Sequence, residues 1–283
     1  MSEKRAKVWL WIGSLLVFAV SLIHLSPLYL LAVNSFKTRE ELYENVLSLP
    51  KSLSFQYYQV AMERMNILTA IMNSFIITVV STMLIILFSS MTAWVLARHE
   101  DRVWAKAIYM TFVATMLIPF QTLMMPLIQF FSQIQQTLGF QIIDTRQGLI
   151  FMYIGFGSAM SVFLYHGFVK SIPISLEEAG YIDGASPWTV FWRIVFPMLR
   201  PITNTVVILN VIWIWNDYLL PSLVLSSERV KTIPLSTFSF FGQFTIQWNL
   251  AMAGLVMTIL PVIIFYAVAQ RNIIRGIADG AVK

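Results

Sequence analysis

Between Ser175 and Pro197, three carboxylates (Glu177, Glu178, Asp183), four small residues (Ala179, Gly180, Gly184, Ala185) and the large aromatics Trp188, Phe191 and Trp192 share one short stretch. Small residues let another backbone approach closely, and aromatic rings supply apolar area for contact. The chemistry this suits is docking onto a partner, not bond-making. Catalytic signatures are missing elsewhere too: the chain has no H-E-x-x-H, no G-x-S-x-G and no carboxylate pair within its apolar runs. It has no cysteine, which excludes disulfides, zinc thiolates, iron–sulfur clusters and thiol nucleophiles. It also has no G-x-x-x-x-G-K-[ST] and not one Gly-Lys pair, so energy must come from another chain or from an ion gradient.

Local rules divide the stretch into two short helices. Ser175 and Glu178 have capping-box spacing, which predicts a helix starting there. Gly184 is free to take the left-handed conformation that ends it, Ser186 and Pro187 read as N-cap and first position of the next helix, and Pro197 closes that one. Glu177, Glu178, Asp183 and Arg193 would together cost roughly 10 kcal/mol near a bilayer centre, so this helix-elbow-helix stays out of the membrane.

A membrane is implied by everything around it. Of the 283 residues, 58% are hydrophobic and 12% charged, against roughly 25% charged in a soluble domain. Six runs reach the roughly 20 apolar residues that a spanning helix needs: 8–33, 69–97, 107–131, 148–169, 202–221 and 250–270. They are too long and too continuously apolar for barrel strands. The expected fold is an all-α integral membrane protein of about six spans, forming one membrane domain over 1–283. Pro27, Pro119, Pro126 and Pro261 predict kinks in the spans, not breaks. The first run, preceded by Lys4, Arg5 and Lys7, is too long for a signal peptide and reads as a retained helix. With the N-terminus inside, the inner segments hold twelve Lys and Arg and the outer loops seven, which puts both termini and the elbow in the cytoplasm. The net charge of +5 is spread over these short segments, so it sets topology and does not point to nucleic acid. Near 55–65, Phe55, Tyr58 and Met62 fall on one face of a short surface helix.

Polar groups inside the spans are few. Asn73, Asn210, Asn216 and Asp217 are candidates to line a solute path, with Gln121, Gln129 and Asn204 as further amides; interhelical hydrogen bonding is the competing use. Asp217 could instead bond to Asn216 and hold a gate. His24 and His166 suit packing or the interface better than a proton relay. The 15 Met and 21 Phe read as packing or lipid-facing residues.

Glu178-Ala179-Gly180, three residues, Gly184, nine residues and Ile194-Val195-Phe196-Pro197 resemble the EAA loop of binding-protein-dependent ABC importer permeases, E-A-A, x3, G, x9, I, x, L, P. Gly180 for Ala and Phe196 for Leu depart from that pattern. Phe168 to Pro173, Trp215 to Pro221 and the terminal Gln270 to Lys283 look like segments of the carbohydrate-type, maltose-permease-like branch, and the likeness runs from about residue 70 to the end. The resemblance implies a type I importer fold in the plasma (inner) membrane of a bacterium or archaeon, with the elbow as coupling loop. It implies an ATPase subunit dimer docked on Glu178, Ala179, Gly180, Asp183, Gly184, Ile194 and Pro197, and a second, homologous permease subunit. It also implies an extracytoplasmic binding protein that delivers a sugar or related polar solute. ATP and Mg would be bound by the ATPase, leaving this chain with no cofactor and no metal site. An ion-coupled secondary carrier is the alternative.

Overall fold

The computed structural model describes residues 3–241 and 247–281, with side chains from Leu10 to Phe241, Gln247 to Ala267 and Gln270. The basic residues Lys4, Arg5 and Lys7 and most of the terminal segment named above lie outside the described side chains. All described regular structure is helical. In chain order it comprises α1 (Glu3–Asn34), α2 (Arg39–Glu44), α3 (Gln56–Arg64) and α4 (Ile67–Arg98). Next come α5 (Val103–Thr115), α6 (Phe120–Leu138), α7 (Arg146–Val169) and α8 (Ser175–Ile182). α9 (Pro187–Val190) passes through a π-helical turn, Phe191–Val195, into α10 (Phe196–Met198). α11 (Arg200–Asn216), α12 (Leu219–Val224), α13 (Ile233–Thr237) and α14 (Trp248–Ala281) complete the chain.

Four of the six expected spans are single long apolar helices, in α1, α4, α7 and α14. The other two are broken. The run 107–131 is split between α5 and α6, which meet at 106°. Pro119 is the N-cap of α6 with an extended backbone (φ −61°, ψ 131°), and a residue before proline is pushed out of the helical region. Pro119 therefore breaks this segment where a kink was expected, whereas Pro27, Pro126 and Pro261 sit inside continuous helices. The run 202–221 ends early: α11 stops at Asn216, Asp217 is extended, and its Oδ1 accepts the amide of Leu219 at 2.9 Å to start α12.

The chain forms two compact units. In the unit made of 1–67 and 237–261, α3 is the expected surface helix, but Ala61 and the C-cap residue Met65 are buried while the N-cap residue Phe55 and Met62 are exposed. Tyr58 does turn inward, its hydroxyl 2.6 Å from that of Ser35. Lys37 is fully buried, and its ammonium donates to the carbonyls of Asn45 and Val46, which closes the loop after α2.

The unit made of 68–236 and 262–283 carries two apolar cores. One gathers Ile77, Ile85, Leu149, Met152, Tyr153 and Ile214; the other gathers Ala93, Leu96, Val162, Tyr165, Val190, Phe191 and Val206. Apolar burial drives little between helices in lipid, so close approach and interhelical hydrogen bonds carry the packing. Hence the buried face of α4 is rich in small hydroxyls, Ser74, Thr78, Ser81, Thr82, Ser89 and Ser90. At Gly157 of α7 an added Cβ would lie 2.5 Å from Ile85 Cδ1 and 2.8 Å from Asn210 Oδ1, so glycine sets that three-helix contact.

Candidate functional site

The elbow forms as two limbs, α8 and the α9–π–α10 segment. The first limb begins at Ser175, but not through the serine. Ile174 is the N-cap, and its carbonyl accepts the amides of Glu177 and Glu178. The turn through Pro173 and Ile174 places Ser175 already inside the helix, where its side chain makes no cap bond, and the expected capping box is absent. The other end follows the sequence rules. Gly184 has φ +81°, the amide of Ala185 bonds to Gly180 O at 3.0 Å and that of Gly184 to Tyr181 O at 3.0 Å, a Schellman ending that needs a left-handed residue. Ser186 Oγ accepts the amide of Thr189 at 3.3 Å, with Pro187 next in the helix.

Pro197 does not close the second limb. The π turn before it pairs the Phe196 amide with Phe191 O, five residues back. Widening the helix there relieves the clash a proline ring makes with the preceding turn. The limb ends one residue later, at Met198, and α11 leaves at 76°.

The limbs pack through Gly180, where a Cβ would meet Ile194 Cδ1 at 2.7 Å and Val190 Cγ2 at 3.3 Å. Gly180 is thus buried inside the elbow, with Ile194 half-buried against it, while Glu178, Ala179, Asp183, Gly184 and Pro197 are exposed. Of Trp188, Phe191 and Trp192 only Trp188 faces out, at 59% exposure; Phe191 is buried and Trp192 half-buried between Phe191 and Phe196, while Tyr181 of the first limb is also exposed. Ile182, at 86%, is the most exposed apolar side chain of the elbow and was not singled out from the sequence. Its signal was an isoleucine one residue before Asp183, at the end of a helix whose apolar side already had Ile194 to meet.

The acidic residue the elbow turns inward is Glu177, a neighbour of the one in the loop pattern. Glu177 is 2% exposed. Its Oε1 accepts Arg98 Nε at 2.9 Å and Arg98 Nη2 at 2.7 Å, and its Oε2 accepts Trp94 Nε1 at 2.9 Å. Arg98 Nη2 also donates to Ile172 O at 3.0 Å. Nearby, Lys170 Nζ lies 2.6 Å from Glu100 Oε1, and that hydrogen bond holds the Glu100 carboxyl below its usual range.

The candidate path residues divide. Asn73 is buried at the start of α4 and donates to the carbonyls of Arg229 and Lys231 at 3.0 and 2.9 Å, tying down a loop. Asn216 is exposed and its amide returns to Ile212 O within α11, so it does not bond to Asp217. Asp217 Oδ2 instead accepts the hydroxyl of Tyr153 at 2.9 Å. Asn210 donates to Ser161 Oγ at 3.1 Å and to Val206 O at 2.9 Å. With Tyr165 donating to Thr203 Oγ1 at 3.0 Å, these bonds make a polar ladder between α7 and α11. Thr203, Asn210 and Asp217 recur every seven residues, one face of a helix, which is the signal that could have grouped them. Beside the ladder, Phe156, Gly157, Met160, Ser161, Leu209, Asn210 and Trp213 line a cleft of about 310 Å³. A larger cleft of about 750 Å³ in the bend between α5 and α6 is walled mainly by Phe, Met, Ile and Leu. His166 stacks on Tyr109 with ring centroids 3.9 Å apart, the packed role expected of it.

Long apolar helices, two bent helix pairs and a short helical elbow at one end of α4 and α7 describe a multi-pass membrane protein. Residues 85–279 match the family described as binding-protein-dependent transport system inner membrane component. The chain is 49% identical over 280 residues to the probable starch degradation products transport system permease protein AmyC of Thermoanaerobacterium thermosulfurigenes, covering 99% of each. It is 34% identical to the melibiose/raffinose/stachyose import permease protein MelC of Bacillus subtilis (strain 168), covering 95% of each. A crystal structure of a bacterial ABC transporter that imports the acidic polysaccharide alginate contains a chain of the same fold, with TM-score 0.79 and 20% identity over 96% of this chain and 98% of that one. The chain belongs to the binding-protein-dependent transport system inner membrane component family and is an ABC-importer permease, not an enzyme.

Proposed function

We propose that this permease forms half of the membrane pathway of an ATP-driven importer for a neutral oligosaccharide, pairing with a second, homologous permease. An ATPase dimer that binds ATP and Mg docks on the elbow from the cytoplasm, and an extracytoplasmic binding protein delivers the solute. The observation that carries this is the elbow's exposed edge: Glu178, Ala179, Asp183 and Gly184 lie beside Ile182 and Trp188, which are 86% and 59% exposed. Large apolar side chains next to carboxylates suit a partner with a matching groove and basic rim. Gly180, Ile194 and Pro197 serve the same role indirectly, by fixing the shape of that edge. The spacing of the elbow residues and the sugar-transport names of the 49% and 34% identical relatives support the assignment. So does a related structure in which an alginate transporter is bound to a pentasaccharide-loaded periplasmic protein.

ATP binding would move the elbow as a lever, and α7 and α11, joined to its two ends, would rock with it. The solute would pass the cleft at Asn210, where half-exposed Trp213 offers an aromatic face for sugar C–H groups and the amide ladder offers hydroxyl partners. Asn73, Asn216 and Asp217 would then shape that path, not contact the solute. The test is to replace Glu178 by Lys or Gly184 by Leu and follow ATPase co-purification together with uptake of labelled maltotriose. Loss of both is expected. Normal assembly and uptake in both variants, or uptake that survives deletion of the ATPase and collapses with an uncoupler, contradicts it.

A further inference from the structure

The elbow is joined by the chain to α7 and α11, but not to α4. What fastens α4 is the buried contact of Glu177. Both carboxylate oxygens are taken by donors from two residues one turn apart, Trp94 and Arg98, at the end of α4. The same Trp94 ring packs on Phe191 of the second limb, with centroids 5.4 Å apart. Arg98 reaches Ile172 O, just ahead of the first limb. α4 is therefore gripped at both limbs of the elbow and at the segment leading into it.

We propose that Glu177, clamped by Arg98 and Trp94, is the positioning residue that makes α4 move with the elbow as one body; this rests on the elbow being the ATPase docking site. Two physical points favour a positioning role over simple stabilisation. A buried ion pair often adds no stability over well-packed apolar residues of the same size, so stability alone does not explain charges here. Packed helices slide past one another in small shear steps, whereas a forked Arg–carboxylate contact is directional, and separating it leaves two buried charges unpaired. Packing would let α4 slip as the elbow moves; the clamp does not.

The experiment uses the complete transporter, permeases, ATPase and binding protein, reconstituted in proteoliposomes with maltotriose as solute. Glu177→Gln keeps the side-chain volume and removes the charge. The ATPase should still co-purify and hydrolyse ATP, while maltotriose imported per ATP falls at least about fivefold, the lower end of usual coupling between sites. Glu177→Asp, which keeps the carboxylate, should recover much of that ratio. Because the chain has no cysteine, spin labels at His99→Cys and Leu176→Cys, both exposed, report the clamp directly with Glu177 intact. Their separation should be the same in nucleotide-free and ATP-bound complexes, and this measurement decides if Glu177→Gln fails to assemble. A wild-type import ratio in Glu177→Gln, or a label distance that changes with ATP, overturns the clamp. The docking proposal fails separately, if the ATPase co-purifies with the Glu178 and Gly184 variants and uptake is normal.

Discussion

The two ends of α4 are fastened by different chemistry. At its start, Asn73 donates to two backbone carbonyls of the 229–231 segment, and Ser74 Oγ accepts the amide of Ile233. Just ahead of that segment, the amides of Ser226 and Ser227 and the Ser227 hydroxyl donate to the carboxylate of Asp144, which stands before α7. At its other end, Arg98 and Trp94 hold a side-chain carboxylate on a separate helix. Bonds to backbone fix the shape of a loop whatever its side chains. A charge pair between side chains fixes one helix against another. The first end is built to hold a loop still, and the second to carry a helical elbow in one orientation. On the proposed function, the second is the end that must transmit force.

The largest expected effect falls on the charge pair. Glu177→Ala leaves the Arg98 guanidinium buried without its partner, and should destabilise the purified permease by about 3 to 5 kcal/mol in thermal or denaturant unfolding. Asn73→Ala, which strands two carbonyls at the opposite end, should cost less, about 1 to 3 kcal/mol. Equal losses would remove the contrast between the two ends. Gly184→Ala, at φ +81°, should cost about 1 to 2 kcal/mol because an L side chain is strained in the left-handed region. Gly180→Ala should fall within about 1 kcal/mol of wild type, since the tip of Ile194 has to shift and Val190 to give by a few tenths of an ångström, while alanine is the better helix former. Gly180→Leu has no such escape and should open the elbow, seen as increased protease sensitivity between Ser175 and Pro197.

The smallest effect is a dependence on pH. Burial pushes the Asp144 carboxyl up, but the bonds from Ser227 and Ser226 outweigh it and hold the group below its usual range. A depressed carboxylate stabilises the folded form above its unfolded value, near pH 4, and that contribution is lost as pH falls through the lower folded value. Protection of the 224–230 segment in hydrogen exchange should therefore be flat from neutral pH to about pH 4 and drop below it. In Asp144→Asn the acid-dependent drop should vanish.

Much of this was legible in the residues. Length and hydropathy located the four runs that form single long helices, and the spacing of Gly184, Ser186 and Pro187 marked the turn between the limbs, because helix ends obey local backbone rules. Three features were not legible, each for a reason of its own. Pro119 and Pro197 have the same local chemistry, yet one breaks its helix by 106° and the other is absorbed by a π turn; the outcome depends on packing around the ring. Glu177 and Glu178 are adjacent and identical in type, and which one turns inward is decided by Arg98 and Trp94, about eighty residues earlier in the sequence. Asn73 and Asp217 read as candidates to line a solute path or to bond between helices, without their partners being nameable, and those partners come from the 229–231 segment and from Tyr153.

The proposed docking of an ATPase on the elbow is tested most directly by thiol labelling. A single cysteine at Ile182, the elbow's most exposed apolar position, should react with a membrane-impermeant maleimide in inside-out vesicles and not in intact cells. It should become protected when the ATPase subunit is present. Labelling from the outer surface, or equal labelling with and without the ATPase, would contradict the account.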